Sequence, residues 1–382
     1  MKEYSKQELE QIYKKRRAAL ADYLTQNKTG AAVFIDSEAK RDPAMPYYTG
    51  HPSDGVLIIF SDGYSILIPW DENLAKSIAF CDKMIPYTRY KNSALDAVKA
   101  VLNSNYNHGL NSKIELPPYL TYPEYLKFIA ELQNYDCRCK EDGAHQFVTN
   151  SRMIKDEYEI ECTKEAARVG DLIIEQIESK IKDGTIQTEM DVALFIEKEL
   201  RIHGCQRTGF DTLAAGPSRS FAIHAFPGYT NAAWPAQGLS ILDFGVVYNG
   251  YTSDTTVTVA KGPLTEDQET QLNLVQKAFD ECVQLYTKEH TINEAAKHAD
   301  NVFAKAKRKM PHTLGHAIGL EIHEFPRVST KVDSELHFAP GMILTCEPGL
   351  YDPKIGGCRL ENDVLITENG NEIITHSKII RL

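Results

Sequence analysis

Two rhythms of apolar and polar positions run along this chain, and one gives way to the other near residue 148. At the start, Ser5-Lys-Gln-Glu8 forms a capping box ahead of apolar residues at three- and four-residue steps. That pattern predicts an amphipathic helix to about Thr25. The strand-like run AAVFIDS follows, then GVLIIFSDGYSILIP, read as a hairpin turned at Asp62-Gly63. Helical patterns (ENLAKSIAF, ALDAVKAVLN, YPEYLKFIAELQ) then alternate with short strand patterns (MIPYTRY, KIELP, YDCRCK). Such alternation predicts a layered α/β domain over residues 1–148.

From 149 to 382 the pattern changes. SRMIKDEYEIECTKEAARVGDLIIEQIESKI reads as a long helix, and Thr188-Glu-Met-Asp191 opens a second. Sequence rich in strand formers runs from about 210 to 260, two more helices are predicted near 265–288 and 292–308, and the remainder to Leu382 is mostly strand. A helix pair followed by strands therefore occurs twice, which suggests a duplicated half-domain. The predicted class is α/β (α+β), with a smaller N-terminal domain.

Composition narrows the function. Hydrophobic residues make up 42% and charged residues 25%, as in ordinary globular proteins. Lys plus Arg number 42 against 53 Asp plus Glu, a formal charge of −11, which disfavours nucleic acid or an anionic membrane as the partner. The opening MKEYSKQELEQIYKKRRAAL is too charged for a signal peptide, and no apolar run is long enough to span a bilayer. Eight scattered cysteines, without a CxxC pair, suggest reduced thiols and a cytoplasmic location.

The stretch SILDFGVVYNGYTSDTTVTV carries the first candidate chemistry. Asn249-Gly250 is the strongest short-range hairpin signal, a two-residue type I′ turn. Pairing Tyr248 with Tyr251 then sets Asp243 opposite Thr256. Asp254 lies two residues from Thr256, so it shares a face with Asp243. Diagonal neighbours of this kind are about 7–8 Å apart, near enough for both carboxylates to reach one ion. Converging like charges need a cation or a proton, although a lone pair of aspartates is more often one turn cap and one solvated group.

Downstream, HTLGHAIGLEIHE (312–324) admits two geometries. A helix would align His312, His316, Gly319 and His323 on one face, whereas a strand would alternate Ile318, Leu320 and Ile322 with Gly319, Glu321 and His323. Each glycine costs about 1 kcal/mol in a helix interior, which favours a strand entered through a glycine turn. GMILTCEPGLYDPKIGGCRLENDVLIT adds Glu347 and Glu361. Arg359, two residues before Glu361, would share its face and orient it. A two-residue turn at Gly356-Gly357 would put the two glutamates on opposite faces, so a bulge or wide loop is expected between them. Asp243, Asp254, one histidine, Glu347 and Glu361 form an oxygen-rich set with a single imidazole. It suits Mn²⁺, Co²⁺, Fe²⁺ or Zn²⁺ in a two-metal site, where four carboxylates balance two dications. Two such ions about 3.5–4 Å apart can share a hydroxide and polarise a carbonyl.

The ordered motifs LDFG, SDTT, HTLGHAIG, LTCEPG and RLEND resemble those of the pita-bread metallopeptidases, over roughly 150–382. That family includes methionine aminopeptidase, Xaa-Pro aminopeptidase, prolidase and creatinase. The N-terminal PYYTGHPSDGVLIIF is similar to a segment of the prolidase and Xaa-Pro aminopeptidase branch. The resemblance implies a C-terminal pita-bread catalytic domain over 149–382. It implies two divalent ions, Mn²⁺ or Co²⁺ first and Zn²⁺ or Fe²⁺ as alternatives, held by Asp243, Asp254, His316, Glu347 and Glu361. Asp254 and Glu361 would bridge, and Glu347 would double as general base. His323 and His224 correspond to histidines that stabilise the tetrahedral intermediate, and His312 and Arg359 to substrate-pocket residues. The activity implied is hydrolysis of the Xaa-Pro bond in proline-containing di- or oligopeptides, by a homodimer. Alternatives are a creatinase-like C–N hydrolase that works without metal, and an inactive module that binds peptides or proteins. Three departures stand out: Ala317 in place of the second glycine of GHGIG, Val257 where many members carry arginine, and GPSRSFAIH, one residue longer than the usual spacing and without a proline before His224.

Overall fold

A computed structural model describes residues 2–104 and 112–382. The chain divides into two compact units, Lys2–Ser151 and Arg152–Leu382. Among the described residues, no helix is long and apolar enough to cross a membrane.

The first unit is a mixed six-stranded sheet, in the order Lys83–Met84, Ser65–Pro69, Gly55–Phe60, Ala31–Asp36, Lys113–Leu116 and Asp136–Cys139. The strand Gly55–Phe60 is buried throughout and touches both the helix Lys6–Gln26 and the helix Ala94–Leu102, which explains its unbroken apolar run. The first helix ends within a residue of the expected Thr25, and its Ser5/Glu8 capping box is formed. Two expectations change. Of MIPYTRY only Met84 is strand, at the end of Lys83–Met84, because Pro86 lacks an amide donor and leads instead into a 3-10 turn over Tyr87–Tyr90. The turn at Asp62-Gly63 is one residue longer than the Asn-Gly kind: Phe60 N donates to Tyr64 O at 2.9 Å, with Gly63 at φ 85°.

In the second unit two helix pairs each cover one hairpin. Helices Glu157–Lys182 and Glu189–Ile202 share a core with Leu242, Phe244, Val257 and Val259. Helices Glu266–Val283 and Ile292–Lys305 pack on Leu344, Cys346, Leu350, Cys358, Leu360 and Val364. The long helix begins at Glu157 rather than with SRM, because Asp156 caps it and boxes with Glu159, while Ala144–Ser151 is a separate short helix. Val257 is thus apolar because it faces helices, and Ala317 is likewise part of a core. Residues 216–237 hold no strand, so the region from 210 to 260 is less β-rich than its composition suggests.

Each hairpin keeps one register through a break. In the first, Tyr248 pairs with Tyr251 and Val247 with Thr252, and beyond the break Asp243 pairs with Thr256. Asn249 and Gly250 have φ of 48° and 87°, the two positive angles a type I′ turn requires. In the second, Gly349 pairs with Arg359, and beyond the break Cys346 pairs with Asn362. Counting in from either side sets Glu347 opposite Glu361. No two-residue turn forms at Gly356-Gly357: of the bulge or wide loop expected, it is a longer loop that intervenes, Pro353–Ile355, whose odd length sets the register, steadied by Lys354 N on Asp352 Oδ1 at 2.8 Å.

The expected strand through Ile318, Leu320 and Ile322 is also corrected. Only Gly315–Ala317 is strand, with its register against the strand Glu324–Val328 shifting after His316, and residues 318–323 coil. The coil wraps the buried carboxylate of Glu324, which accepts from Arg152 and, at 3.1 Å, from Lys155. A Cβ on Gly319 would meet that carboxylate at 2.5 Å, so this glycine is required by close approach. Burial alone would raise the Glu324 pKa, but Lys155 and Arg152 outweigh it and hold the carboxyl below its ordinary value. Glu324→Gln leaves the buried Lys155 without a counter-charge and Arg152 with only the half-exposed Glu321, and is expected to lower stability by about 3 kcal/mol or more, read from urea unfolding. A loss under about 0.5 kcal/mol, the size of an ordinary surface change, would show that the cluster does not anchor the coil.

Candidate metal centre

The helix-facing positions of both hairpins are apolar, so alternation turns the polar positions toward each other. Thr256 and Glu361 form a bridge between the hairpins. Thr258 Oγ1 donates to Arg359 O at 2.8 Å, and Asp254 N donates to Asp363 Oδ2 at 2.9 Å. Asp254, Glu347 and Glu361 all lie at the breaks, where each hairpin leaves its first sheet.

A cavity of about 500 Å³ opens here. All nine residues singled out from the sequence line it: Asp243, Asp254, His316, Glu347, Glu361, His224, His312, His323 and Arg359. One ligand atom from each of Asp254, His316 and Glu361 lies within 4.8 Å of the others. His316 Nε2 is 3.6 Å from Asp254 Oδ2 and 3.5 Å from Glu347 Oε1. Its Nδ1 lies 3.2 Å from Ala317 O, which assigns the proton to Nδ1 and leaves the Nε2 lone pair facing carboxylates. Lone pair against anion is repulsive unless a cation or a proton sits between them. Asp243 Oδ1 is buried with no hydrogen-bond partner. Three acceptor-only groups converging on a lone pair, beside an unsatisfied buried oxygen, fit a divalent cation.

Arg359 differs from its expected use. Its Nη2 binds Asp243 Oδ2 at 2.5 Å, whereas Nε is 4.0 Å from Glu361 Oε2. Glu361 is reached through Thr256, whose Oγ1 accepts from Arg359 Nε at 2.9 Å and donates to Glu361 Oε2 at 2.5 Å. Arg359 Nη1 also donates to the Tyr351 hydroxyl at 2.7 Å, and that hydroxyl lies 3.0 Å from His312 Nε2. With Nδ1 at 2.8 Å from Thr313 O, both nitrogens of His312 are engaged inside the protein. His323 packs edge-on against His316, ring centroids 4.3 Å apart.

Burial dominates the electrostatics. It pushes the carboxyls of Asp254 and Glu361 well above their ordinary range, helped by Glu361 and Asp243 in the first case and by Glu347 and Asp243 in the second. It raises Glu347 to about 7 despite the opposing Arg359. It lowers His316 to about 3, aided by His323, and His312 to about 4, aided by Arg359. His323 is also lowered, by burial and then by Arg327.

Sequence reading missed Tyr351, Thr256, Thr345 and Arg327. Tyr351 and Thr256 carry Arg359's reach, and Thr345 Oγ1 accepts from His316 N at 3.2 Å. Arg327 lines the cavity from the strand Glu324–Val328, in register with His316. Alternation could have found it, since Glu324, Pro326 and Val328 are buried while Phe325 and Arg327 are exposed.

Fold and site together define a metal-dependent peptidase of the pita-bread type. Residues 161–368 match the profile of the metallopeptidase family M24 (Peptidase_M24), and the chain belongs to that family. It is 28% identical over 364 residues to the Xaa-Pro dipeptidase of Pyrococcus horikoshii, covering 94% of this chain and 96% of that one. An uncharacterized peptidase of Staphylococcus haemolyticus is 36% identical over 233 residues, 60% of this chain and 65% of that protein's length. The prolidase structure from Pyrococcus horikoshii superposes with a TM-score of 0.81 at 26% identity, covering 96% of this chain and 99% of that one. The Xaa-Pro dipeptidase from Bacillus anthracis gives 0.82 at 26%, covering 97% and 100%. The pita-bread fold and the prolidase branch expected from the motifs are therefore both found.

The raised carboxyls set a pH dependence. Above about pH 6.5 the unfolded chain has ionised carboxyls and mostly neutral histidines, so the buried carboxyls govern the change. A folded pKa raised above the unfolded value adds stability at low pH that is lost as pH rises through the folded value. Stability of the EDTA-treated protein should therefore fall from about pH 6.5 to 9, through the Glu347 value of about 7. Mn²⁺ at saturation should flatten that slope, and its uptake near pH 7 should release protons in calorimetry across buffers. A metal-free protein that gains stability over this range, or takes up metal without proton release, would contradict the placement.

Proposed function

We propose that this metallopeptidase is an exopeptidase that hydrolyses the Xaa-Pro bond, as an Xaa-Pro dipeptidase or aminopeptidase, with 149–382 as its catalytic domain. The observation that carries the proposal is the convergence of Asp243, Asp254, His316, Glu347 and Glu361 on one cavity wall. Relatives named Xaa-Pro dipeptidase that align along nearly the whole chain support it. The five residues suit two divalent ions, Mn²⁺ or Co²⁺ first, with Zn²⁺ or Fe²⁺ compatible with the same donors. Bound there, such ions supply Lewis acidity, making water a better nucleophile near neutral pH and polarising the scissile carbonyl.

The chain's own groups perform the proton transfers. Glu347, held near pH 7 by burial, takes the proton of the attacking water and returns it to the departing prolyl nitrogen. His323, whose pKa partial burial lowers, and His224 on the same cavity lining present N–H donors to the oxygen that becomes negative. Arg359 fixes Asp243 directly and Glu361 through Thr256, while His312 holds Tyr351, the other partner of Arg359. Arg327 is exposed in the lining and has no ion-pair partner among the described residues, so it suits the free carboxylate of a short peptide. The metal-free creatinase-like alternative is disfavoured by the acceptor-only set, and an inactive module by the presence of every ligand. Free thiols and the −11 charge suit a cytoplasmic enzyme that acts on peptides rather than nucleic acid or membrane, and a homodimer remains the expected assembly.

Apoprotein reconstituted with Mn²⁺ or Co²⁺ should hydrolyse Xaa-Pro, Xaa-Pro-Yaa or both, with the dipeptide preferred if Arg327 binds the carboxylate. Glu347→Gln should lower kcat by about 10²–10⁴-fold, as expected for loss of a general base. Absence of metal-dependent turnover on either peptide would overturn the activity, and an unchanged kcat in the variant would overturn the base.

A further inference from the structure

The cavity wall that carries His224 is built from loop. Residues 216–233 lie between the strands Leu213–Ala215 and Gly238–Phe244 and contain no helix or strand of their own. Six consecutive residues of this loop, 223–228, line the cavity. A segment without internal ladders takes its shape from outside contacts, and here four of them converge on one carboxylate.

That carboxylate is Glu189, the first residue of the helix Glu189–Ile202, with a side chain that is 0% exposed. Oε1 accepts Gly216 N at 2.8 Å, at the start of the loop. Oε2 accepts Thr230 N at 2.7 Å and Thr230 Oγ1 at 2.6 Å, near its end. Oε2 also accepts from Arg219 Nη1, and Arg219 Nη2 donates to Pro227 O, so the guanidinium extends the grip to the middle of the loop. The backbone adds Met190 N on Thr230 O at 2.9 Å and Glu189 N on Ala232 O at 3.0 Å. From the metal side, Arg359 Nη1 donates to Ile223 O at 3.2 Å, one residue before His224. Ser220 adds a third hold, its Oγ donating to Leu239 O at 2.7 Å and accepting from Gly357 N at 3.0 Å, so His224 lies among Arg359, Ser220 and the Glu189–Arg219 pair. Neither Glu189 nor Arg219 lines the cavity.

We propose that Glu189 and Arg219 are positioning residues that hold the 216–233 loop so that His224 and the wall beside it face the substrate. The inference rests on the proposed role of His224. A buried carboxylate with four donors is hard to replace: in Glu189→Gln, the amide nitrogen would oppose either Gly216 N–H or the Thr230 and Arg219 donors. The departure from the family's spacing also falls in this loop, between Gly216 and His224, and Arg219 lies within it.

Arg219→Met is the milder variant, because it leaves the Glu189 bonds to Gly216 and Thr230 intact. Amide hydrogen exchange of the metal-loaded full chain should become at least about tenfold faster in peptides covering 216–233, and stay unchanged in 238–261. Against Ala-Pro, kcat/KM should fall at least about tenfold, mainly through kcat. Arg219→Met/His224→Ala should lose no more than His224→Ala alone, because the pair acts through His224. Arg219→Lys, which retains the charge but not the fork, should recover only part of the loss. Unchanged exchange in the loop, exchange that rises equally in 238–261, or strictly additive losses in the double variant would each overturn the proposal. If the wild type hydrolyses no Xaa-Pro peptide, the functional reading fails separately, and the exchange measurement still decides whether the pair holds the loop.

Discussion

The second unit depends on one costly arrangement, the burial of several carboxylates between two hairpins whose other faces pack on helices. Core packing against helices turns Leu242, Phe244, Leu344 and Cys346 one way, and alternation then obliges Asp243, Thr345 and Glu347 to point the other. Polar positions from both hairpins are thereby removed from water. They are satisfied by crossing hydrogen bonds, chiefly Thr256, Thr258 and Arg359 across the hairpin junction. One guanidinium cannot neutralise Asp243, Asp254, Glu347 and Glu361 together. The remaining negative charge must be met by protons or by divalent ions, and that requirement joins fold to chemistry.

The two halves solve the same problem in the same way. In each, a helix pair covers a hairpin that keeps its register while breaking into two sheets, and carboxylates stand at the break. A break frees a side chain from the ladder and bends the strand, so carboxylates there can lean toward a common point. His323 and His224 are held differently, on coil shaped by buried charged side chains. Glu324 with Arg152 and Lys155 anchors the coil before His323. Loop flexibility is thereby limited around these histidines, and the five residues proposed as ligands stay on or beside strands.

Local signals carried much of this. Asn249-Gly250 fixed the loop length, and with it the common face of Asp243 and Asp254, because turn chemistry and a two-residue period are both local. The motif order then indicated the family and the remaining candidate ligands. The meeting of Glu347 with Glu361 was not legible from Gly356-Gly357, since the turn lies at Asp352-Pro353. An aspartate followed by proline there is itself a turn signal, but it does not give the length of the loop. The coil after His316 could not be read locally at all: its cause is an ion cluster whose members are about 170 residues apart in the chain. The preference of Arg359 for Asp243 over its near neighbour Glu361 is equally non-local.

The crossing of these two hairpins is proposed above as a divalent-metal site. Anomalous diffraction at the manganese edge, from crystals grown with Mn²⁺, tests it most directly. The account predicts manganese peaks in contact with Asp254, His316 and Glu361, with Arg359 still on Asp243. Peaks confined to other parts of the surface, or none at this crossing with the five side chains ordered, would contradict it.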